Sequence, residues 1–400
     1  MRKFLYLAVS VLMISGWAGR AGAALIAGNE VRLDSMSADG REVEDMGLIW
    51  IYPNKALEYR NTSEFDLGNL TGGGTQEWGG LLIDTEGAGV WGFYVNRPDI
   101  GLRSNAFTLD NFYNPLVQSP WQPVGGDIGE VGVANVFDLF WAQNTGLGDL
   151  GLHLSYGEVF LTTGTEVQAE TWRFSAGLGT TNLGPFQEGN FHLDLGKASG
   201  TQFNPSGADQ GVYSLGLGTL MTASLADQED MRVFADVELD QAIYPPTNLN
   251  NSDGEIDLGT SLNHKFKDGK GLVSTGLVLD YLSGKVNDST ATLDTWLVLW
   301  NCSLERQVAD WLTLRAGLAS PLLARAYDSA NATTYTSSAS GKIDFSTGFG
   351  IAWGNFILDG SLNVASLENS INNVAPGNGL LFTNGNPMFQ VAEADLKYKY

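Results

Sequence analysis

The sequence predicts an all-β fold: a transmembrane, antiparallel, up-and-down β-barrel of about 16 strands, with about 14 as the alternative count. Three observations favour this fold. Apolar and polar residues alternate in segment after segment, and short and long connections alternate along the chain. After the N-terminus, no run of about twenty apolar residues is present that could form a membrane helix. The predicted architecture has short periplasmic turns and long extracellular loops.

The alternation is clear in residues 231–240, where Met231 and Val237 lie on one face while Arg232 and Glu238 lie on the other. A period of two gives a strand one apolar face and one polar face. In a soluble β-sandwich such apolar faces would pack against each other. The predicted strands run to about ten residues or more, which is long enough to cross a bilayer at a tilt. Their length therefore favours a barrel whose outer face meets lipid.

The connections alternate between short ones, such as residues 143–148, and long ones, such as 97–133 and 365–388. Asp268-Gly269 stands between two alternating runs and predicts a hairpin with a type I′ turn, because this dipeptide accepts positive φ angles. A chain that starts and ends on the short-turn side needs an even number of strands, which fits the strand count above.

The last segment, Phe389 to Tyr400, carries apolar or aromatic residues at every second position from Ala392, with charged residues between them. Here the chain resembles the β-barrel proteins of the Gram-negative outer membrane, whose last strand commonly ends on an aromatic residue, usually Phe. The resemblance implies an outer-membrane location and contact with lipid and lipopolysaccharide. It also implies that the barrel-insertion machinery reads the strand ending at Tyr400.

The N-terminus predicts export. Residues 1–23 have a positive start, a short apolar core and small residues before the expected cleavage after Ala23, which is typical of a signal peptide. Residues 24–62 are irregular and form either an N-terminal extension or a plug segment, and residues 63–400 form the barrel. Residues 51–57 are similar to the asparagine-proline-alanine stretch of FadL-type transporters, although here the order is Pro-Asn and Lys55 intervenes.

The composition excludes several classes of function. The formal net charge is −23, which does not favour nucleic acid as a partner and instead favours a surface or lumen that attracts cations. The chain has one cysteine, Cys302, so no intrachain disulfide can form. No cofactor is expected.

Acidic residues are predicted to cluster inside the barrel near one rim: Glu238, Asp240, Glu255, Asp257 and Asp280. The expected register places Glu238 opposite Asp257 and Asp257 opposite Asp280. Like charges in such positions require water or a cation between them, so we interpret the cluster as an acidic mouth that favours cations. A calcium site at Asp253, Asp257 and Asp280 is the second interpretation. No EF-hand spacing supports it.

Two polar pairs are predicted to face the lumen, Asp138 opposite His153 and Arg173 opposite Asp194. We interpret them as lumen lining. The alternative is a catalytic Asp–His pair, but no G-x-S-x-G, H-E-x-x-H or Cys–His arrangement accompanies it. The sequence therefore predicts no enzyme.

The connection 97–133 is too long for a simple turn. Its residues Asp99, Asp110, Trp121 and Asp127 could fold into the lumen and narrow it, or lie at the surface. Together these patterns predict a channel for passive diffusion of small polar solutes with mild cation preference. The alternatives are a plugged structural or adhesive barrel and a FadL-like transporter of hydrophobic solutes. The oligomeric state stays open.

Overall fold

The computed structural model describes residues 31–34, 36–38, 40–67, 77–97, 134–161, 167–200, 211–244, 249–285, 292–328, 333–337, 344–364, 382–383, 386–387 and 389–400. The constriction residues predicted in the 97–133 connection lie outside these ranges, as does the predicted signal peptide. Among the residues that the structure describes, no helix has both the length and the apolar character needed to cross a membrane.

The main sheet has 17 strands and closes on itself. Sixteen of them form the barrel wall, because the short strand β14 only flanks β13. The wall strands are β1 (Thr62–Asp66), β2 (Trp78–Asp84), β3 (Val90–Val95), β4 (Ala134–Thr145), β5 (Gly148–Leu161), β6 (Val167–Leu183), β7 (Phe186–Gly200), β8 (Gly211–Ala226), β9 (Glu229–Tyr244), β10 (Leu249–Lys265), β11 (Gly271–Lys285), β12 (Thr292–Ala309), β13 (Leu312–Asp328), β15 (Asp344–Trp353), β16 (Phe356–Val364) and β19 (Phe389–Lys399).

Three further strands stand outside the wall: β14 (Thr333–Ser337), β17 (Phe382–Thr383) and β18 (Asn386–Pro387). The last two pair only with each other. Each wall strand is antiparallel to its neighbours, and the barrel closes where β1 pairs with β19, from Thr62↔Lys399 to Asp66↔Asp395. The predicted barrel of 16 strands is confirmed, and the alternative of about 14 is wrong.

The two ends of the wall meet on the short-turn side, where the Tyr400 backbone N–H donates to the Asn61 carbonyl at 3.1 Å. The hairpin predicted at Asp268-Gly269 joins β10 to β11. Gly269 has a φ of 67°, while Asp268 is not among the residues with positive φ. The hairpin is therefore present, but a type I′ turn is wrong because that turn needs positive φ at both central residues.

The wall has its apolar side chains on the outside and its polar side chains on the inside, which is the reverse of a soluble protein. On β10, Ile256, Leu258 and Leu262 point outward and are 37–45% exposed. The alternating residues Glu255, Asp257, Ser261 and Asn263 point inward and are 2–8% exposed. A strand surface of this kind requires an apolar solvent outside and polar partners inside.

The polar partners come largely from the N-terminal segment, which we define as the described residues between 31 and 60. It contains a one-turn helix, Val31–Asp34, and two 3-10 helices, Met46–Trp50 and Pro53–Leu57. The Asp45 side chain accepts a hydrogen bond from the Gly47 backbone N–H and so caps the first 3-10 helix. Pro53 begins the second 3-10 helix. Proline suits this position because the first N–H groups of a helix have no partner within the helix.

Candidate functional site: the barrel lumen

The N-terminal segment contacts inward-facing residues around the whole circumference of the wall. Its partners include Phe140 on β4, Asn190 on β7, Ser261 on β10, Ser303 on β12, Ser346 on β15 and Lys397 on β19. These contacts join residues far apart in sequence; Ser37 and Ser346, for example, are 309 positions apart. The segment therefore crosses the lumen instead of lying along one wall.

Trp50 is the centre of an aromatic cluster inside the barrel. Its ring centroid lies 4.8 Å from that of Phe140 and 4.9 Å from that of Tyr94, both in edge-on geometry. The Arg97 guanidinium lies 3.6 Å from the Trp50 ring centroid, in a cation–π contact. Trp50 is 3% exposed. The segment thus has an apolar anchor against β3 and β4.

A second apolar contact lies on the other side of the lumen. Leu48, Ile51 and Tyr52 of the segment pack against inward-facing apolar residues of the wall, namely Leu220, Phe234, Val278 and Leu299. The inner wall is therefore not uniformly polar, and the segment covers its apolar patches.

Glycines in the wall make room for the segment backbone. A Cβ on Gly151 would lie 2.0 Å from the Asn54 backbone nitrogen, and a Cβ on Gly317 would lie 1.9 Å from the Met36 carbonyl oxygen. Both partners are backbone atoms, which cannot rotate aside. The close approach of two backbones requires glycine at these positions.

Polar wall side chains satisfy the segment's backbone. Ser261 Oγ and Asn263 Nδ2 donate to the Glu42 carbonyl at 3.0 and 2.8 Å, and Ser303 Oγ donates to the Met36 carbonyl at 2.9 Å. The Asn301 amide also donates to the Glu42 carboxylate. Irregular backbone at membrane depth needs such internal partners.

Two arginines of the segment, Arg41 and Arg32, form ion pairs with the wall. Arg41 pairs with Asp236 and Asp257 at mid-height. Arg32 Nε lies 2.8 Å from Glu305 Oε2, which also contacts Arg315 Nε at 2.7 Å. Removing one partner of a buried ion pair is costly because it leaves the other charge without compensation. Both arginines therefore fix the segment's position.

A third charged cluster surrounds Lys55. Its Nζ lies 2.7 Å from Glu58 and 3.6 Å from Glu44, and it also contacts Glu188. Burial, followed by the hydrogen bond that its protonated carboxyl group donates to the Glu44 carboxylate, raises the pKa of Glu58 to about 7. Burial opposes ionisation of Glu44 as well, but the Glu58 hydrogen bond and the charges of Arg232 and Lys55 lower its pKa to about 2. The two carboxyl groups thus share one proton near neutral pH.

The shared proton predicts a pH dependence. The pKa of Glu58 in the docked segment is about 7, above its ordinary value of 4.5, so docking binds a proton. Between pH 5 and 8, docking is therefore strongest at pH 5 and weakens as the pH rises through about 7, because Glu58 then ionises beside the Glu44 carboxylate. Hydrogen exchange of the amides in residues 46–57, measured at several pH values, should show this loss of protection.

Glu58→Gln should flatten that dependence between pH 5 and 8, a window chosen around the raised pKa of about 7. Glu86→Gln, in an exposed short turn, is the matched control and should leave the dependence unchanged. An unaltered pH profile in Glu58→Gln would contradict the assignment.

The structure brings three of the predicted rim acids together. The carboxylates of Glu255, Asp257 and Asp280 offer oxygen atoms that lie within 4.8 Å of one another. Asp257 is paired with Asp280, as expected. Glu238 is paired with Glu255 and not with Asp257, and Asp257 is paired with Asp236. The predicted Glu238–Asp257 register was wrong by two residues.

The other rim acids continue this acidic surface along the strands. Glu238 and Asp240 follow Asp236 at alternate positions of β9, toward the end opposite the short turns. The side chain of Asp253, proposed as a calcium ligand, lies outside the described residues, and the grouping contains Glu255 in its place.

Both predicted lumen pairs are in contact, although not as directly opposed residues. His153 Nε2 lies 2.9 Å from Asp138 Oδ1, and Arg173 Nη2 lies 3.2 Å from Asp194 Oδ1. The register pairs Asp138 with Ser155 and Asp194 with Ser175. The expected direct opposition was wrong, and the side chains meet diagonally across the strands instead.

The surroundings of His153 clarify the role of its pair with Asp138. The imidazole stacks on Phe140, with centroids 4.2 Å apart, and contacts the edge of Trp50 at 5.7 Å. The pair thus supports the aromatic cluster under the N-terminal segment.

Sequence reasoning missed Arg41, Glu42 and Trp50 as lumen residues. One signal was present: the segment places apolar and aromatic residues 46–52 next to charged residues, which a solvated linker does not need. No periodicity identified their partners, because the segment has no regular strand.

The closed antiparallel wall, its apolar exterior and its polar, occupied interior decide the class of protein. The chain has the fold of an outer-membrane β-barrel, with 16 strands in a closed antiparallel wall. No protein family matches the sequence, and no curated protein matches it.

Solved structures similar to this barrel include a FadL homologue of Pseudomonas aeruginosa, with 11% identity and a TM-score of 0.43 over 95% of this chain and 100% of that one. The toluene transporter TodX of Pseudomonas putida has 10% identity and a TM-score of 0.39 over 93% and 96%. The FrpB iron transporter of Neisseria meningitidis has 11% identity and a TM-score of 0.42 over 77% of this chain. The chain spans 55% of FrpB's length. All three TM-scores are below 0.5, so none bears on what this barrel transports.

Proposed function

We propose that this protein is an outer-membrane transport barrel that lets small polar solutes, preferentially cations, cross when its N-terminal segment shifts. The observation that carries the proposal is the segment itself, which is held in the lumen by side-chain contacts from strands all around the wall. Because the segment is not one of the paired strands of the wall, it can move without any change to the hydrogen bonds between those strands.

The preference for cations follows from the acidic surface that begins at Asp257, beside Arg41, and continues toward the end of the barrel opposite the short turns. Glu238, Asp240, Glu255, Asp257 and Asp280 line the inner face of three neighbouring strands. A lumen with one sign of charge and low-dielectric walls attracts ions of the opposite sign.

The proposal also covers the protein's contacts in the membrane and its export. The exposed apolar outer face contacts lipid and lipopolysaccharide, and the barrel-insertion machinery binds the last strand, which ends at Tyr400. Residues 1–23 act as the export signal. No catalytic step is part of the proposal, and His153 and Asp138 serve the wall that holds Trp50.

The test is ion selectivity of the full mature chain refolded into planar bilayers under a KCl gradient. We expect cation-selective steps, and we expect Glu255→Gln with Asp280→Asn to lower the cation-to-anion permeability ratio about twofold. Asp310→Asn, whose side chain is 95% exposed at a short turn, is the matched control and should keep the ratio of the parent. Anion preference, or no conductance even after displacement of the segment, would refute the proposal.

A second candidate is a transporter of hydrophobic solutes. The inward-facing Leu220, Phe234, Val278 and Leu299 favour it, because displacement of the segment would expose them to the lumen. Uptake of a small aromatic hydrocarbon by proteoliposomes, without permeability to a small sugar, would favour this candidate over the polar channel.

A further inference from the structure

Arg41 of the N-terminal segment lies in a built site for a guanidinium group, the Arg41 cradle, formed by Asp236, Asp257 and Phe234. The Arg41 side chain is buried, with Nη1 2.5 Å from Asp236 Oδ2. Nη1 and Nη2 both lie 3.3 Å from Asp257 Oδ2. The guanidinium carbon lies 4.3 Å from the Phe234 ring centroid. Two carboxylates at the edge and an aromatic ring at the face match a planar cation.

The wall shapes this cradle through residues other than its three members. A Cβ on Gly259 would lie 2.0 Å from Phe234 Cζ, so glycine allows the ring to lie across β10. A Cβ on Gly218 would lie 1.8 Å from Asp236 Oδ1 and 2.2 Å from His192 Nε2. The two strands that flank β9, namely β8 and β10, therefore have glycine where the cradle's side chains need space.

His192 orients the cradle's first carboxylate. Its Nε2 lies 2.8 Å from Asp236 Oδ1, and its Nδ1 contacts Asp194 Oδ2. With Oδ1 held by His192, the other oxygen of Asp236 faces Arg41. Wall residues thus help to fix the position of the carboxylate.

The acidic surface continues from the cradle toward the end of the barrel opposite the short turns. Glu238 and Asp240 follow Asp236 along β9, and Glu255 with Asp280 adjoins Asp257. A cation that enters from that end therefore meets carboxylates before it reaches the Arg41 cradle.

We propose that the Arg41 cradle is the recognition site for a small solute bearing a guanidinium or amino group, and that Arg41 is its internal competitor. Such a solute replaces the Arg41 side chain between Asp236 and Asp257 and so releases the N-terminal segment. The inference rests on the proposed function and names its solute class.

The test is calorimetric binding of agmatine to the full chain in detergent, without any conductance measurement. Arg41→Gln should bind agmatine at least about tenfold more tightly than the parent, because no internal cation competes. Adding Asp257→Asn to that variant should abolish the gain. Arg60→Gln removes a positive charge of the same segment at an exposed position away from the cradle, and this variant should bind like the parent. Retained heat-modifiable migration in gels would establish that each variant is a folded barrel.

A second readout uses the parent chain. Agmatine should speed chymotrypsin cleavage after Trp50, whose side chain is buried in the docked segment, while succinate should not. The inference is overturned if folded Arg41→Gln binds agmatine no more tightly than the parent, or if Asp257→Asn leaves the gain intact. If agmatine binds as expected but no variant conducts ions, the cradle stands and the proposed channel fails.

Discussion

Gly151→Ala is expected to push the second 3-10 helix of the N-terminal segment away from the wall and to open the lumen. The added methyl group would lie 2.0 Å from the Asn54 nitrogen and 2.2 Å from the Pro53 carbonyl carbon. Overpacking of this kind costs about 1–3 kcal/mol, and about 1.4 kcal/mol already changes the docking equilibrium tenfold. Single-channel conductance and the rate of trypsin cleavage after Lys55 should both rise.

Gly146→Ala is the matched control. A Cβ on Gly146 meets nothing within 4 Å, so this variant should behave as the parent. Gly317→Ala, which would crowd the Met36 carbonyl at the far end of the segment, should give the same direction of change as Gly151→Ala. Unchanged cleavage and conductance in both alanine variants would contradict the docked position of the segment.

Trp50→Ala is expected to have the largest effect of any single substitution in the segment. Trp50 contacts Trp78, Tyr94, Phe140 and His153 at centroid distances of 4.8–6.0 Å. Truncation of a buried Trp costs about 3–5 kcal/mol. Here that cost falls on docking of the segment, since the wall keeps its own backbone hydrogen bonds. Hydrogen exchange in residues 46–57 should accelerate by about two orders of magnitude or more.

Trp353→Ala is the control for a general effect of losing a tryptophan. Trp353 is 82% exposed at the end of β15, next to a short turn. Its substitution should leave exchange in residues 46–57 unchanged. Equal effects of the two substitutions, or loss of the heat-modifiable barrel in Trp50→Ala alone, would show that Trp50 supports the wall and not the docked segment.

The strand pattern was predictable to a large extent. On β10 the alternation of Ile256, Leu258 and Leu262 with polar residues is visible in the sequence, and the structure has the apolar set outside. Lipid and water select opposite side chains at every second position, so the pattern persists wherever a strand crosses the membrane. The alternation of short and long connections also predicted an even number of strands.

The register was less predictable. Asp138 and His153 were expected to oppose each other across a turn at residues 143–148, but β4 and β5 pair up to Thr145↔Gly148. The turn is only Gly146 and Leu147, which moves each pairing by two positions. Because a hairpin's register depends on the length of its turn, one misplaced turn residue changes every pair in the ladder.

The sequence by itself determined which residues face lipid and which face the lumen, because that choice depends on local alternation. Only the tertiary structure decided what fills the lumen. Arg41 lies 216 positions from Asp257, and Glu42 lies 259 positions from Asn301. Such contacts leave no periodic trace in the chain, since they exist only after the wall has closed and brought distant strands around one short segment.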